Sequence, residues 1–143
     1  MTPQPINSDE PRITVFYEKT YMDDCGKNIP ELFSKNAFDN ICLRSYWGNT
    51  IDAFSKHPCL YMITAIHGDF RVVIPHEVDG GGYKFTQYFV SGLDGKIIKI
   101  PKNTWFGINN LNNDTGALLF ANVGSNNSSE SLDDQIFEWY SKR

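Results

Sequence analysis

From residue 40 to residue 123 the chain alternates β-rich runs with turn signals, at intervals of eight to fifteen residues. Strands are read at 40–47, 60–67, 70–74 and 84–91 from their β-branched and aromatic content. Gly68-Asp69 between two such runs reads as a hairpin turn, Gly80-Gly81-Gly82 as a loop tip, and Leu93-Asp94-Gly95 as a second tight turn. The densest part is Ile97–Leu111 followed by Gly116–Val123. There an apolar run meets Pro101, turns through polar residues and re-enters as Trp105 and Phe106. It then turns at Asn112-Asn113-Asp114 and returns as a second apolar run. Two short strands around a corner suit the mouth of a small barrel, and the cadence as a whole predicts a sandwich or barrel.

The ends differ. Residues 1–10 are polar and Pro-rich and read as a tail, leaving 11–143 as a single domain. Arg12–Glu18 reads as a strand, available to its own sheet or to a partner subunit's. Pro30–Phe38 places proline at a first helical position and reads as one or two helical turns. Ser128–Tyr140 offers a serine cap, early acidic residues and apolar positions at 132, 136, 139 and 140. It predicts an amphipathic helix of about three turns.

Composition narrows the function. A net charge of −4 with scattered Lys and Arg argues against a nucleic-acid partner. No run is long and apolar enough for a membrane span, and the N-terminus lacks a basic-then-apolar leader, so a cytoplasmic protein without membrane contact is expected. Cys25, Cys42 and Cys59 are odd in number and lack metal-ligand spacing. His57, His67 and His76 form no His-x-His pair, so neither a metal nor another cofactor is expected.

Ile100-Pro-Lys-Asn-Thr-Trp-Phe-Gly-Ile108 resembles the Ile-Pro-x-Gly-x-x-His-Gly-Phe segment of the dTDP-4-dehydrorhamnose 3,5-epimerase family. Cys42–Gly48 is similar to that family's Leu-Arg-Gly-Leu-His segment. His57-Pro-Cys-Leu-Tyr61, running into Ile66–Phe70, is similar to its Pro-His-x-x-x-Lys…Arg-Gly-Glu-Val segment, and Leu132-Asp133-Asp134 to its Trp-Asp-Asp. The resemblance spans about residues 40–136. It implies an all-β, cupin-type jelly roll with a short C-terminal α-helix, paired as a homodimer. It also implies a nucleotide-sugar ligand and a role in deoxysugar or cell-surface polysaccharide synthesis.

The same resemblance puts Trp47 where the family has its catalytic histidine, Tyr61 at its catalytic lysine and Phe106 at the histidine after Ile-Pro. The catalytic tyrosine has no clear counterpart, with Ser125 and Asn126 near its place. Epimerisation beside a ketone needs a base and an enolate-stabilising group, which tryptophan and phenylalanine cannot provide. Arg44 does match, as a ligand-binding arginine. Two functions follow: an isomerase or epimerase-like protein with altered catalytic residues, or a non-catalytic cupin that binds sugars or assembles.

Candidate residues are assigned on that basis. His67 shares strand parity with Tyr61, and these two are the candidates for moving a proton. Arg44 and Arg71 are candidates for gripping an anion, or for surface ion pairs with Asp39, Asp52 or Asp69. Trp47, Tyr88, Trp105 and Phe106 either line an aromatic ligand pocket or fill the core. His57, beside Pro58, reads as a loop histidine. Asp133 and Asp134 suit the first turn of the expected helix.

Overall fold

A computed structural model describes residues 12–29, 38–124 and 128–139. The tail at 1–10, the helical turns expected at Pro30–Phe38 apart from Phe38 itself, and Ser125 and Asn126 lie outside the described residues. The strands are β1 (Thr14–Tyr17), β2 (Tyr21–Asp23), β3 (Gly26–Asn28), β4 (Asn40–Tyr46), β5 (Ile51–Lys56) and β6 (Leu60–His67). They continue as β7 (Asp69–Glu77), β8 (Tyr83–Ser91), β9 (Lys96–Ile100), β10 (Phe106–Asn110), β11 (Gly116–Val123) and β12 (Glu130–Ser131).

Two five-stranded antiparallel sheets face each other. One runs β1-β9-β6-β11-β4 and the other β12-β5-β10-β7-β8, while β2 and β3 form a separate ribbon. From β4 to β7 and from β8 to β11 the chain changes sheet at every connection. This wrapping is the jelly roll expected from the turn cadence. β1 joins its own chain's sheet, pairing Val15 with Ile98.

The Gly68 hairpin is a correction. β6 and β7 do not pair; they sit in opposite sheets, and Gly68, with φ +88°, carries the chain across. Both strands are central and buried on both faces over most of their length, so each takes partners on two sides rather than from its sequence neighbour. The turn signal marked a bend and could not say where the next strand would go.

Between the sheets lies the main core, including Ile63, Phe70, Val72, Ile74, Ile98 and Leu118, all essentially inaccessible. Two smaller clusters cover outer faces. Leu60, Met62, Ile97 and Ala121 lie behind the first sheet, and Phe54, Val73 and Trp139 behind the second.

The C-terminal α-helix is a second correction. Residues 130–131 pair with β5, and Phe54 and Leu132 exchange backbone hydrogen bonds at 3.1 and 3.0 Å. Among the described residues of that segment only Asp134–Ile136 is helical, a single 3-10 turn capped by Asp133, whose Oδ1 accepts from the Gln135 amide at 2.9 Å. An isolated three-turn helix is marginal in water, whereas the edge of β5 offers unsatisfied backbone groups and its sheet an apolar outer face. Leu132, Ile136, Phe137 and Trp139 pack there. The apolar residues do cover the barrel, but as an irregular strap.

Candidate functional site

A cavity of about 240 Å³ opens between the sheets on the side where β4 ends one sheet and β5, flanked by the two-residue β12, lies near the end of the other. Its wall includes Cys42, Arg44 and Tyr46 from β4, Phe120 and Tyr61 from β11 and β6 of the same sheet, and Phe106 from the facing sheet. Alternation along β4 turns residues 40, 42, 44 and 46 inward. β5 adds Asp52 and Ser55, three positions apart, which a regular strand would place on opposite faces. A register shift opposite Phe106 and Ile108 reconciles them: Phe106 faces Ser55, while Ile108 faces Asp52. Gly107 makes the bulge possible, since a Cβ there would lie 2.5 Å from the Ala53 Cβ and 2.9 Å from the Phe54 ring.

The polar side of the cavity is a three-residue cluster. The Tyr46 hydroxyl donates to Asp52 Oδ2 at 3.3 Å, and the Arg44 guanidinium lies 3.6 Å from the same oxygen and 5.0 Å above the Tyr46 ring centroid. Burial, then the neighbouring Asp52 charge, push the Tyr46 phenol far above its ordinary value, so it stays a donor.

The other side is aromatic. His57 stands edge-on to Tyr61, ring centroids 5.2 Å apart, and 5.8 Å from Phe106. Tyr61 in turn lies 5.9 Å from both Phe106 and Phe120. His57 Nε2 shares a 3.0 Å hydrogen bond with Ser55 Oγ, and its Nδ1 is buried without a partner. Desolvation lowers the His57 pKa below the ordinary 6.5, against the opposing pull of Asp52. The ring is therefore neutral at pH 7, with one nitrogen able to accept a proton.

The cavity thus gathers Arg44, Tyr61 and Phe106 from the expected set, and leaves the others elsewhere. Trp47 follows the end of β4 and is 81% exposed, outside this wall. His67 is exposed at the end of β6. Its parity with Tyr61 is broken by a bulge: Ala65 faces Leu118 but His67 faces Ala117, so Ile66 is an extra residue in the ladder. Arg71 points to the outer face of the second sheet. There it donates to Asn109 Oδ1 at 3.0 Å, Gln87 Oε1 at 3.3 Å and the Trp139 carbonyl at 2.6 Å, and its guanidinium lies against the Phe137 and Trp139 rings. Trp105 packs with that outer cluster, under Lys56 Nζ at 4.9 Å from its ring. Tyr88, opposite Val72, packs on the main core.

Asp52 is one of the ion-pair partners that the sequence offered for Arg44, but its place in the cavity wall, like that of His57, was not expected. Ile-Asp-Ala-Phe-Ser-Lys lacks clean alternation because of the bulge, so β5 gives no strand signal; His57 does lie in the loop just past it, as expected, but with its ring in the cavity wall. The available signal was the pair of polar residues at 55 and 57, sharing a face just before Tyr61 returns on the next strand.

The thiols allow a direct check of this geometry. Cys25 and Cys42 are exposed, and Cys42 lines the cavity; Cys59 is buried, and its burial pushes the thiol pKa up. Iodoacetamide at pH 8 is expected to label two sites in the native protein and the third only after unfolding, as read by peptide mass spectrometry. Labelling of Cys59 as fast as Cys25 contradicts the packing of β6.

Among the described residues no group of three or more His, Cys, Asp or Glu side chains could hold a metal ion, and no helix is long and apolar enough to cross a membrane. No family model and no curated protein matches the sequence. Solved structures do match. A dTDP sugar isomerase from Desulfovibrio desulfuricans G20 superposes with a TM-score of 0.74 at 13% identity, covering 89% of this chain and 90% of its own. The dTDP-4-dehydrorhamnose 3,5-epimerase from Sulfolobus tokodaii gives 0.75 at 11% identity, covering 91% of this chain and 82% of its own. The corresponding epimerase from Bacillus anthracis str. Ames, solved with TDP and PPi bound, gives 0.70 at 13% identity, covering 94% and 87%. The chain therefore has the cupin-type jelly-roll fold of the dTDP-4-dehydrorhamnose 3,5-epimerase structures.

Proposed function

We propose that this chain is a nucleotide-sugar isomerase or epimerase-like protein of deoxysugar biosynthesis that works with altered catalytic residues. The observation carrying this reading is the His57–Tyr61 pair, 5.2 Å apart, inside a cavity of the epimerase fold. A 4-keto sugar is acidic at the carbons flanking its ketone. A neutral imidazole can take such a proton, and a phenol can hydrogen-bond the enolate oxygen or return a proton to carbon. In this reading His57 is the base, Ser55 orients its ring, Tyr61 is the acid and Arg44 holds the ligand. At about 240 Å³ the cavity suits one sugar ring, with the nucleotide outside it.

Incubation with dTDP-4-keto-6-deoxyglucose in deuterated water tests the reading. Deuterium uptake at a carbon beside the ketone is expected, with His57→Gln and Tyr61→Phe each slower by about 10²–10⁴-fold. Uptake that is absent, or indifferent to both substitutions, counts against it. One feature favours a second reading, a sugar-binding module without turnover. No carboxylate hydrogen-bonds His57 among the described residues, so the base lacks the usual orienting partner. Binding of the nucleotide sugar without deuterium uptake selects that reading.

The lowered His57 pKa also predicts a pH dependence. The folded protein binds this proton less readily than the unfolded chain. Its contribution to stability is therefore complete above 6.5 and is lost as pH falls from there toward the lower folded value. Urea titrations from pH 7.5 down to 5 are expected to show this fall, and His57→Gln to flatten it. An unchanged slope in that variant refutes the assignment.

A further inference from the structure

Among the described residues, Arg44 and Asp52 are the only charged groups in the wall of the cavity, and they cancel. His57 is held neutral, and the Tyr46 phenol keeps its proton. A diphosphate carries two or more negative charges, and a site built for one supplies a surplus of donors and positive charge. Here a carboxylate oxygen already stands 3.6 Å from the guanidinium and accepts from Tyr46. A phosphate reaching Arg44 would be brought against Asp52, whose like charge offsets what the guanidinium offers.

A sugar hydroxyl has the opposite requirement. It donates one hydrogen bond and accepts others, so adjacent hydroxyls on a ring match a carboxylate beside a guanidinium, each group filling what the other leaves. The Arg44–Asp52 pair is well placed for this exchange. Its side chains are 60% and 43% exposed, so the ion pair is weak and opens at little cost, while the unused carboxylate and guanidinium positions remain open to a ligand. Asn40 and Asn122 add amides to the wall. Beside them on the same sheet, Tyr61 and Phe120, with Phe106 from the facing sheet, form an aromatic surface against which the C–H face of a pyranose can lie, attracted to the negative ring faces.

We infer that the Arg44–Asp52 pair receives the neutral, hydroxyl-bearing edge of a pyranose ring, and that Asp52 is the residue that makes the cavity prefer sugar over phosphate. This rests on the reading of the barrel mouth as a nucleotide-sugar site and assigns its contents: the sugar lies inside, and the diphosphate makes its contacts elsewhere. It also gives Arg44 a different duty from the anion grip expected of it, since its charge is already matched.

Calorimetric titration and ligand-observed NMR test the inference on the full chain. The probes are TDP, dTDP-glucose, and the methyl glycosides of glucose, galactose and rhamnose. At least one glycoside is expected to bind, and to stay bound when TDP is added in excess. Asp52→Asn is expected to weaken glycoside binding at least tenfold and to strengthen TDP binding. Asp52→Glu, which restores the charge, should recover part of the loss. Unfolding curves of both variants separate lost binding from lost structure. The inference is overturned if TDP displaces the glycoside, or if Asp52→Asn folds and binds glycosides as tightly as the parent. Glycoside binding without dTDP-glucose binding overturns the nucleotide-sugar reading and leaves the inference standing. Binding of neither class overturns both.

Discussion

Asn110→Ala is expected to destabilise the protein by about 4 kcal/mol, lowering the melting temperature by roughly 10 °C. Asn110 is 1% exposed, at the end of β10 where the chain turns toward β11. Its amide nitrogen donates to the carbonyls of Tyr46 at 3.2 Å, Trp47 at 3.1 Å and Asp114 at 2.9 Å. Its oxygen accepts from the Asn112 amide at 3.0 Å. One side chain therefore ties the end of β4 to the β10–β11 corner. Alanine leaves several buried polar groups without partners, each costing about 1–3 kcal/mol, and opens a small void besides. Asn110→Asp is the sharper test: it is isosteric, but at neutral pH it presents a second acceptor to the same carbonyls. It should be worse than alanine, with part of the loss recovered at low pH as the carboxyl takes a proton. Chemical unfolding of the two variants at pH 7 and 5 gives the comparison. Equal stability of both with the parent sinks the argument.

Arg71→Met should cost about 3 kcal/mol, through a contact that no ligand makes. Methionine keeps most of the apolar stem but withdraws every donor from Asn109, Gln87 and the Trp139 carbonyl, and removes the cation from the Phe137 and Trp139 rings. The strap ending at Trp139 is held by that guanidinium, by the Trp139 indole donating to the Asp134 carbonyl at 2.9 Å, and by packing on Phe54 and Val73. Its first residues pair with β5, the strand that carries Asp52 and Ser55. Loosening the strap should therefore speed amide exchange across Ile51–Lys56 as well as lowering the unfolding midpoint. A variant of parental stability, with ligand affinity alone reduced, would restore Arg71 to the anion-binding role read from sequence.

These two residues show how unevenly the chain can be read. Asn110 draws no attention as a letter and Arg71 reads as an anion grip, yet each joins segments far apart in sequence, 64 positions in one case and 68 in the other. The bulges mislead in a related way. Ile66 shifts His67 out of register with Tyr61, and the irregularity of β5 hides Asp52, Ser55 and the approach to His57. A period of two is legible only while pairing stays regular. Arg44, Tyr61 and Phe106 are legible for another reason: they fall at motif positions of the family that the chain resembles.

The sequence by itself determined that the chain would be mainly β and where most of its strands lie, while rings at its mouth are what the family resemblance implied. The β content and the strand positions follow from local propensity, turn chemistry and short-range alternation. Tertiary structure decided which strands meet, that the last segment straps the barrel instead of forming a helix, and that His57 and Asp52 enter the cavity while Trp47, His67 and Arg71 stay outside. Those outcomes depend on edges and faces left open by distant strands, and a backbone group or ring takes whichever partner the assembled sheets bring within reach.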